Sequence, residues 1–235
     1  MIRFYRICGL SVSCDFRYGL MTSRGEKYLC DGGNPDISID YSGEAMDRLH
    51  RIAPHLSDEE CELVYTAEQF YNKLLNFDGF MLHSSAVEVD GRAYLFSAPS
   101  GTGKSTHTKL WLDKFGKRAQ IINDDKPAIR IEKDGIFAYG TPWSGKDDLS
   151  VNEGFPVAGI CVLERSSENF ITPMDEGQAI FSILNQTLRP SDPAAMSKLL
   201  ELLDGVMKNI RVWKMGCNIS PEAADMAYEV MRPQP

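Results

Sequence analysis

The sequence predicts an α/β fold, and three observations carry that prediction. From residue 77 onward, apolar strand-like runs alternate with segments of helical spacing. A glycine-rich loop, APSGTGKS at 98–105, stands between one such strand and one such helix. With 43% hydrophobic residues in 235, the chain can also bury a sizeable core. That length suits one large domain, or one of about 150 residues with a small neighbour. We divide it into a small α+β lobe over 1–76 and a larger unit over 77–235.

Residues 1–42 read as short strands and turns. DGGNPD at 31–36 is a turn signal, and DISIDYS places Ile37, Ile39 and Tyr41 on one face at strand spacing. Two helical segments follow. In the second, Ser57 with Glu60 three residues later spells a capping box, and the pattern runs toward Asn76. FMLHSSAVEV at 80–89 and RAYLFSA at 92–98 read as two strands around an Asp90-Gly91 turn, with His83 inside the first. After the glycine loop comes a helix over Lys104–Phe115. AQIIN is a short strand that ends at Asp124-Asp125, and PAIRIE and IFAYG flank the KDG turn as a hairpin. VAGICVLER is apolar enough to be a central strand. The chain closes with helices over about 175–188 and 192–208, the strand IRVWKM, and a last helix with Ser220 at the N-cap and Pro221 at the first position. No internal repeat or low-complexity segment interrupts this order.

Composition narrows the partners. A net charge of −8 argues against nucleic acid or an anionic membrane as the main partner. There is no run of about 18 apolar residues, as a membrane span requires. MIRFYRICGL is too short and too mixed for a secretory signal. The six cysteines (Cys8, Cys14, Cys30, Cys61, Cys161 and Cys217) are scattered, with no CxxC pair to suggest zinc. They read as reduced thiols of a cytoplasmic protein, several of them buried as small hydrophobes.

The loop carries the chemistry. Against the phosphate-binding pattern G-x-x-x-x-G-K-[ST], residues 98–105 match at Gly103, Lys104 and Ser105, but Ala98 replaces the first glycine. The replacement is acceptable where φ is negative. Backbone N–H groups from Gly101 to Ser105 would then ring a β-phosphate at the positive end of the helix. Lys104 would bridge the β- and γ-phosphates, and the Ser105 hydroxyl would ligate Mg²⁺. Ser100, Thr102 and Thr106 complete the loop's candidate contacts with ATP. Asp124 and Asp125 follow the next strand, where an acidic metal contact belongs. Because adjacent residues in extended chain face opposite ways, one would hold the metal and the other face the acceptor. His107, one turn into the helix, fits a surface position as well as a nucleotide-side one. GTPWSGK at 140–146 reads either as a hairpin exit or as a loop over the phosphates with Lys146 as an added cation.

Taken together, LHSSAVEVDGRAYLFSAPSGTGKSTHTKLW and IINDDK resemble the catalytic core of HPr kinase/phosphorylase, and also that of ATP-dependent phosphoenolpyruvate carboxykinase. The similarity spans roughly 80–146 and rests on His83, Lys104, Ser105, Asp124 and Asp125 in that order. It implies a carboxykinase-like P-loop core with a mixed sheet flanked by helices, ATP and Mg²⁺ as cofactors, and an active-site role for His83. It further implies Asp124 on the metal and Asp125 as base toward a serine hydroxyl, or the reverse assignment. The kinase family's C-terminal signature is missing and residues 1–76 look unlike its N-terminal domain, so HPr is not the expected acceptor. Those residues are also too few for the carboxykinase's large N-terminal half. The expectation is a phosphotransferase acting on serine of a protein, a peptide or the free amino acid. A non-catalytic ATP sensor, carboxykinase chemistry and plain ATP hydrolysis are the alternatives. The kinase family assembles into homo-oligomers; this chain shows no interface signature.

Overall fold

The computed structural model describes residues 1–233. Nine strands make the main sheet: β4 (Gly79–Met81), β5 (Ser84–Val89), β6 (Arg92–Ser97), β7 (Ala119–Asn123), β8 (Ala128–Glu132), β9 (Gly135–Tyr139), β10 (Gly154–Arg165), β11 (Phe170–Pro173) and β12 (Val212–Cys217). Their order is β4-β8-β9-β10-β6-β5-β7, with β12 on β10 and β11 on β12. The sheet is mixed. β6 and β12 run parallel to β10, whereas β5 is antiparallel to both β6 and β7. β10 is the central strand that its apolar run predicts. Its start pairs with β9, its middle with β6 and its end with β12. A register shift at Val157–Gly159 marks the handover between neighbours and helps curl the sheet.

The alternation of side chains in β5 and β6 separates two cores. Val87, Val89, Tyr94 and Phe96 face α4 (Lys104–Phe115) and α7 (Pro221–Met231) in a cluster centred on Trp111. Ala86, Ala93 and Leu95 face the other way, onto α5 (Glu176–Leu184) and α6 (Pro193–Asn209).

Residues 1–76 form a three-stranded sheet of β1 (Arg3–Ile7), β2 (Leu10–Cys14) and β3 (Ile37–Ile39), with helices α1 (Gly19–Gly25), α2 (Gly43–Ile52) and α3 (Asp58–Leu74). The Ser57–Glu60 capping box starts α3 as its residues predict. Their apolar cluster also takes in Ala128 and Trp143 from the larger unit. Trp143 stacks on Phe70 at 4.6 Å, and its indole N–H donates to Thr66 Oγ1 at 3.0 Å.

Three local expectations are corrected, and the Ser220 N-cap is borne out in position. The run FMLHSSAVEV is two strands, because β4 pairs with β8 while β5 pairs with β6 and β7; His83 sits at the break, outside both. Residues 19–25 are helical, not turn. The chain is held as it enters this helix by the buried Glu62 of α3, which accepts from the N–H groups of Arg17 and Tyr18 at 2.7 and 3.1 Å. Ser220 precedes α7 as expected, but its hydroxyl accepts from Asn169 Nδ2 rather than from a helix N–H. Tyr41 lies beyond β3.

Candidate functional site

Strand polarity gathers the candidate residues on one edge. β6, β7, β10 and β12 all end there, and β5, running the other way, begins there. Consequently the glycine loop after β6, the aspartates after β7 and His83 before β5 meet at the carboxyl ends of the parallel strands, the usual ligand edge of such sheets.

The loop has the backbone its glycines allow. Gly101 and Gly103 adopt φ of +78° and +120°, values that side-chain-bearing residues rarely reach. Gly103 is the N-cap of α4, leaving the helix's first N–H groups facing the loop. Ala98 is not among the residues with positive φ, so its methyl group costs nothing there. It is buried, and its carbonyl accepts from Lys104 Nζ at 2.8 Å. Burial lowers the Lys104 pKa, while the charge of Asp125 acts to raise it. Arg165, at the end of β10, donates to the carbonyls of Gly101 and Thr102 and so tethers the loop to the central strand.

A cavity of ≈ 300 Å³ opens at this loop. Ser100, Gly101, Gly103, Lys104, Ser105 and Thr106 line one side; His83, Asp124 and Asp125 line the other. Thr102 borders a neighbouring cavity instead. Lys146 is exposed and lies outside the wall, although its loop reaches the site through Gly145.

Both aspartates border the cavity, which an extended chain would not permit. The buried Asn123 explains it. Its Oδ1 accepts from the backbone N–H groups of Asp125 and Lys126 at 2.9 and 2.7 Å, turning the chain as β7 ends. Its Nδ2 donates to the carbonyl and hydroxyl oxygens of Thr141. The Thr141 hydroxyl and Tyr71 OH both reach the Lys126 carbonyl, so α3 of the N-terminal lobe braces the same turn.

The two carboxylates differ in environment. Asp124 is buried, and burial raises its pKa; a backbone N–H from Gly145, 2.6 Å from Oδ1, partly opposes the rise. Gly145 can come this close because it has no Cβ; one added there would lie 2.9 Å from Asp124 Oδ2. Its own carbonyl accepts from the buried Arg24 at 2.6 Å, a second link to the N-terminal lobe. At Asp125, burial works against ionisation but is outweighed by His83 and Lys126, and the carboxyl falls well below the usual range. His83 Nε2 lies 3.2 Å from Asp125 Oδ1, and Nδ1 lies 2.9 Å from Gln186 Oε1. Gln186, Arg165 and Arg24 escape sequence reasoning because each acts on residues distant in the chain, whereas Asn123 is missed although its turn bonds reach only two and three residues ahead, a local Asx-turn signal.

The donor set fits a hydrated Mg²⁺: the Ser105 hydroxyl and the Asp124 carboxylate border one cavity, and burial leaves that carboxylate in want of a cation. No group of three or more His, Cys, Asp or Glu suited to a metal occurs among the described residues, so phosphate and water would supply the other ligands. All six cysteines are free. No helix among the described residues is long and apolar enough to cross a membrane.

No family model matches the chain, and no curated protein is significantly similar. Among solved structures, the HPr(Ser) kinase/phosphatase from Coxiella burnetii aligns at 14% identity with a TM-score of 0.37. The alignment covers 64% of this chain and 93% of that one. A likeness that slight leaves any functional reading to rest on the residues of the site.

Proposed function

We propose that the protein is an ATP-dependent phosphotransferase that moves the γ-phosphoryl group to a hydroxyl, most simply a serine of a protein, a peptide or the free amino acid. One observation carries the reading: a glycine loop with Lys104 and Ser105 shares a cavity with Asp124, Asp125 and His83. The loop's N–H groups and Lys104 would hold the phosphates, with Lys104 giving up its Ala98 contact to reach them. Mg²⁺, held by Ser105 and Asp124, would neutralise charge on the phosphoryl oxygens. Asp125 would orient the acceptor hydroxyl. As the new O–P bond forms and the bond to the β,γ-bridging oxygen breaks, the hydroxyl proton passes to Asp125 and on to solvent, leaving ADP. A carboxylate held below its usual range is a weak base. That suits a loose transition state, in which placing the hydroxyl matters more than removing its proton early. His83 and Gln186 act as positioning residues for Asp125.

The test is Mg-ATP turnover with free serine, serine peptides, HPr, oxaloacetate or no acceptor. Phosphate appearing in a hydroxyl-bearing acceptor supports the reading. Asp125→Asn is expected to lose transfer by about 10²-fold or more with ATP affinity nearly unchanged, whereas Lys104→Ala loses both. ATP binding without transfer to any acceptor favours a sensor, and unchanged ATP affinity in Lys104→Ala removes the loop from the mechanism.

A further inference from the structure

Asp124 borders the phosphate cavity beside Ser105, yet no side chain of another residue hydrogen-bonds to it among the described residues. Its Oδ1 is held by the backbone N–H of Gly145, at 2.6 Å. Gly145 belongs to a strap, residues 144–149, that is neither helix nor strand. The strap's place therefore depends on what grips it from outside.

That grip comes from the N-terminal lobe. Arg24, near the end of α1, is only 6% exposed, and its guanidinium donates to the carbonyls of Ser144 at 2.8 Å and Gly145 at 2.6 Å. The helix is wedged in its turn: a Cβ on Gly25 would lie 3.0 Å from the Tyr5 ring and 3.2 Å from Phe16, both in the lobe's own core. A buried cation ordinarily meets a carboxylate closely. This one has Asp148 Oδ1 at 3.6 Å from Nε, and Nε makes no hydrogen bond; its two short contacts are both to carbonyls.

The Ser144 carbonyl and the Gly145 N–H belong to one peptide group, and across a trans peptide the two point in opposite directions. Arg24 thus stands on one side of that peptide and the Asp124 carboxylate on the other. A cation on the carbonyl polarises the peptide and strengthens its N–H as a donor. The rigid plane also passes the fixed direction of the guanidinium on to the carboxylate.

We propose that Arg24 is a positioning residue for the metal site. Acting through the Ser144–Gly145 peptide, it fixes Asp124 to receive Mg²⁺, and this makes the N-terminal lobe a working part of the phosphate site. The inference rests on the reading that Ser105 and Asp124 hold the metal beside a phosphate chain.

The full chain is saturated with inorganic tripolyphosphate and titrated with Mn²⁺, followed by electron paramagnetic resonance. Arg24→Met is expected to bind Mn²⁺ about tenfold more weakly, the lower end of what partners behind a metal ligand are worth, with metal-free tripolyphosphate affinity unchanged. Arg24→Lys returns a cation to the Ser144 carbonyl and should recover about threefold of that loss. Lys27→Met is the control. Lys27 donates to the Ser150 carbonyl at 2.9 Å, just past the strap, and does not touch the Ser144–Gly145 peptide. Its loss should leave Mn²⁺ affinity within about twofold. On the unaltered chain, the ¹⁵N resonance of Arg24 Nε should move when Mg²⁺ joins the tripolyphosphate complex. If Arg24→Met does not fold, that resonance decides: a shift supports the role and none overturns it. Mn²⁺ affinity within about twofold of the parent in folded Arg24→Met overturns the inference, as does an equal loss in Lys27→Met, which would mean a general loosening of the segment. Asp124→Asn separates the two readings. If it weakens Mn²⁺ binding while Arg24→Met does not, the Arg24 role alone fails; if it leaves Mn²⁺ affinity unchanged, the metal site and this inference fail together.

Discussion

Replacing Asn123 by alanine removes the side chain that turns β7 into the aspartate pair. The residue is fully buried and makes four hydrogen bonds. Its loss strands the N–H groups of Asp125 and Lys126 and one contact at the Thr141 carbonyl. Leaving a buried polar group unpaired costs about 1–3 kcal/mol. Asp125 and Lys126 are half-buried, so water recovers part of that for their N–H groups. The Thr141 hydroxyl keeps its contacts with Lys126 and Tyr71. Counting the two N–H groups at roughly half to full cost, with little from Thr141, gives a loss of about 2–4 kcal/mol. For a chain of this size that lowers Tm by about 4–16 °C. Thermal unfolding followed by circular dichroism measures it, and Asn123→Asp adds a sharper control. Aspartate keeps the acceptor but places a third carboxylate beside Asp124 and Asp125, so its penalty should grow between pH 5 and pH 8. An alanine variant within about 0.5 kcal/mol of the parent would refute the claim that this amide holds the turn.

Three further outcomes follow from the same geometry. Because Asp125 sits below its unfolded value of about 3.9, the unfolded chain binds more protons in acid; the stability it contributes is present above about pH 4 and lost as pH falls. Lys126→Met should therefore lose stability at neutral pH and show a shallower acid decline, and an unchanged acid limb would contradict the pairing. Asp124 has the opposite sign, since a raised pKa means its ionisation opposes folding as pH rises; Asp124→Asn should raise Tm at pH 7 without Mg²⁺ while phosphotransfer collapses, which thermal melts and turnover assays check. Gly145→Ala pushes a methyl against the Asp124 carboxylate, and a displacement of about 0.5 Å should cut turnover by about tenfold with little effect on tripolyphosphate affinity; full activity would mean the Asp124 position is uncritical.

Where the determinant is local, the residues alone announce the structure. The helix over Lys104–Phe115, the hairpin around KDG and the capping box at Ser57 are legible because each depends on side chains within a few positions of one another. The loop glycines belong here too, since only the left-handed conformations seen at Gly101 and Gly103 make them necessary. The short helix Gly19–Gly25 is illegible for the converse reason. It has no side-chain cap of its own, and the residues leading into it are held by Glu62, some forty residues away.

The sequence by itself determined which chemical groups are present: a phosphate-type loop, a lysine and hydroxyl at its end, two aspartates after a strand and a histidine before the loop. Tertiary structure alone decided which of them meet. The break after Leu82 depends on which strand each half pairs with, and an apolar run carries no record of its partner. That break releases His83 toward Asp125, with Gln186 from beyond α5 fixing its other nitrogen. Arg24 and Tyr71 from the N-terminal lobe brace the loops around the turn that Asn123 makes with its near neighbours. Lys146, a cation near the loop in sequence, stays in solvent, while Arg165, some sixty residues from the loop, ties it down. Short-range signals set the elements because capping and turn chemistry act within a few residues. The site was set by packing and buried hydrogen bonds, whose partners the linear order does not disclose.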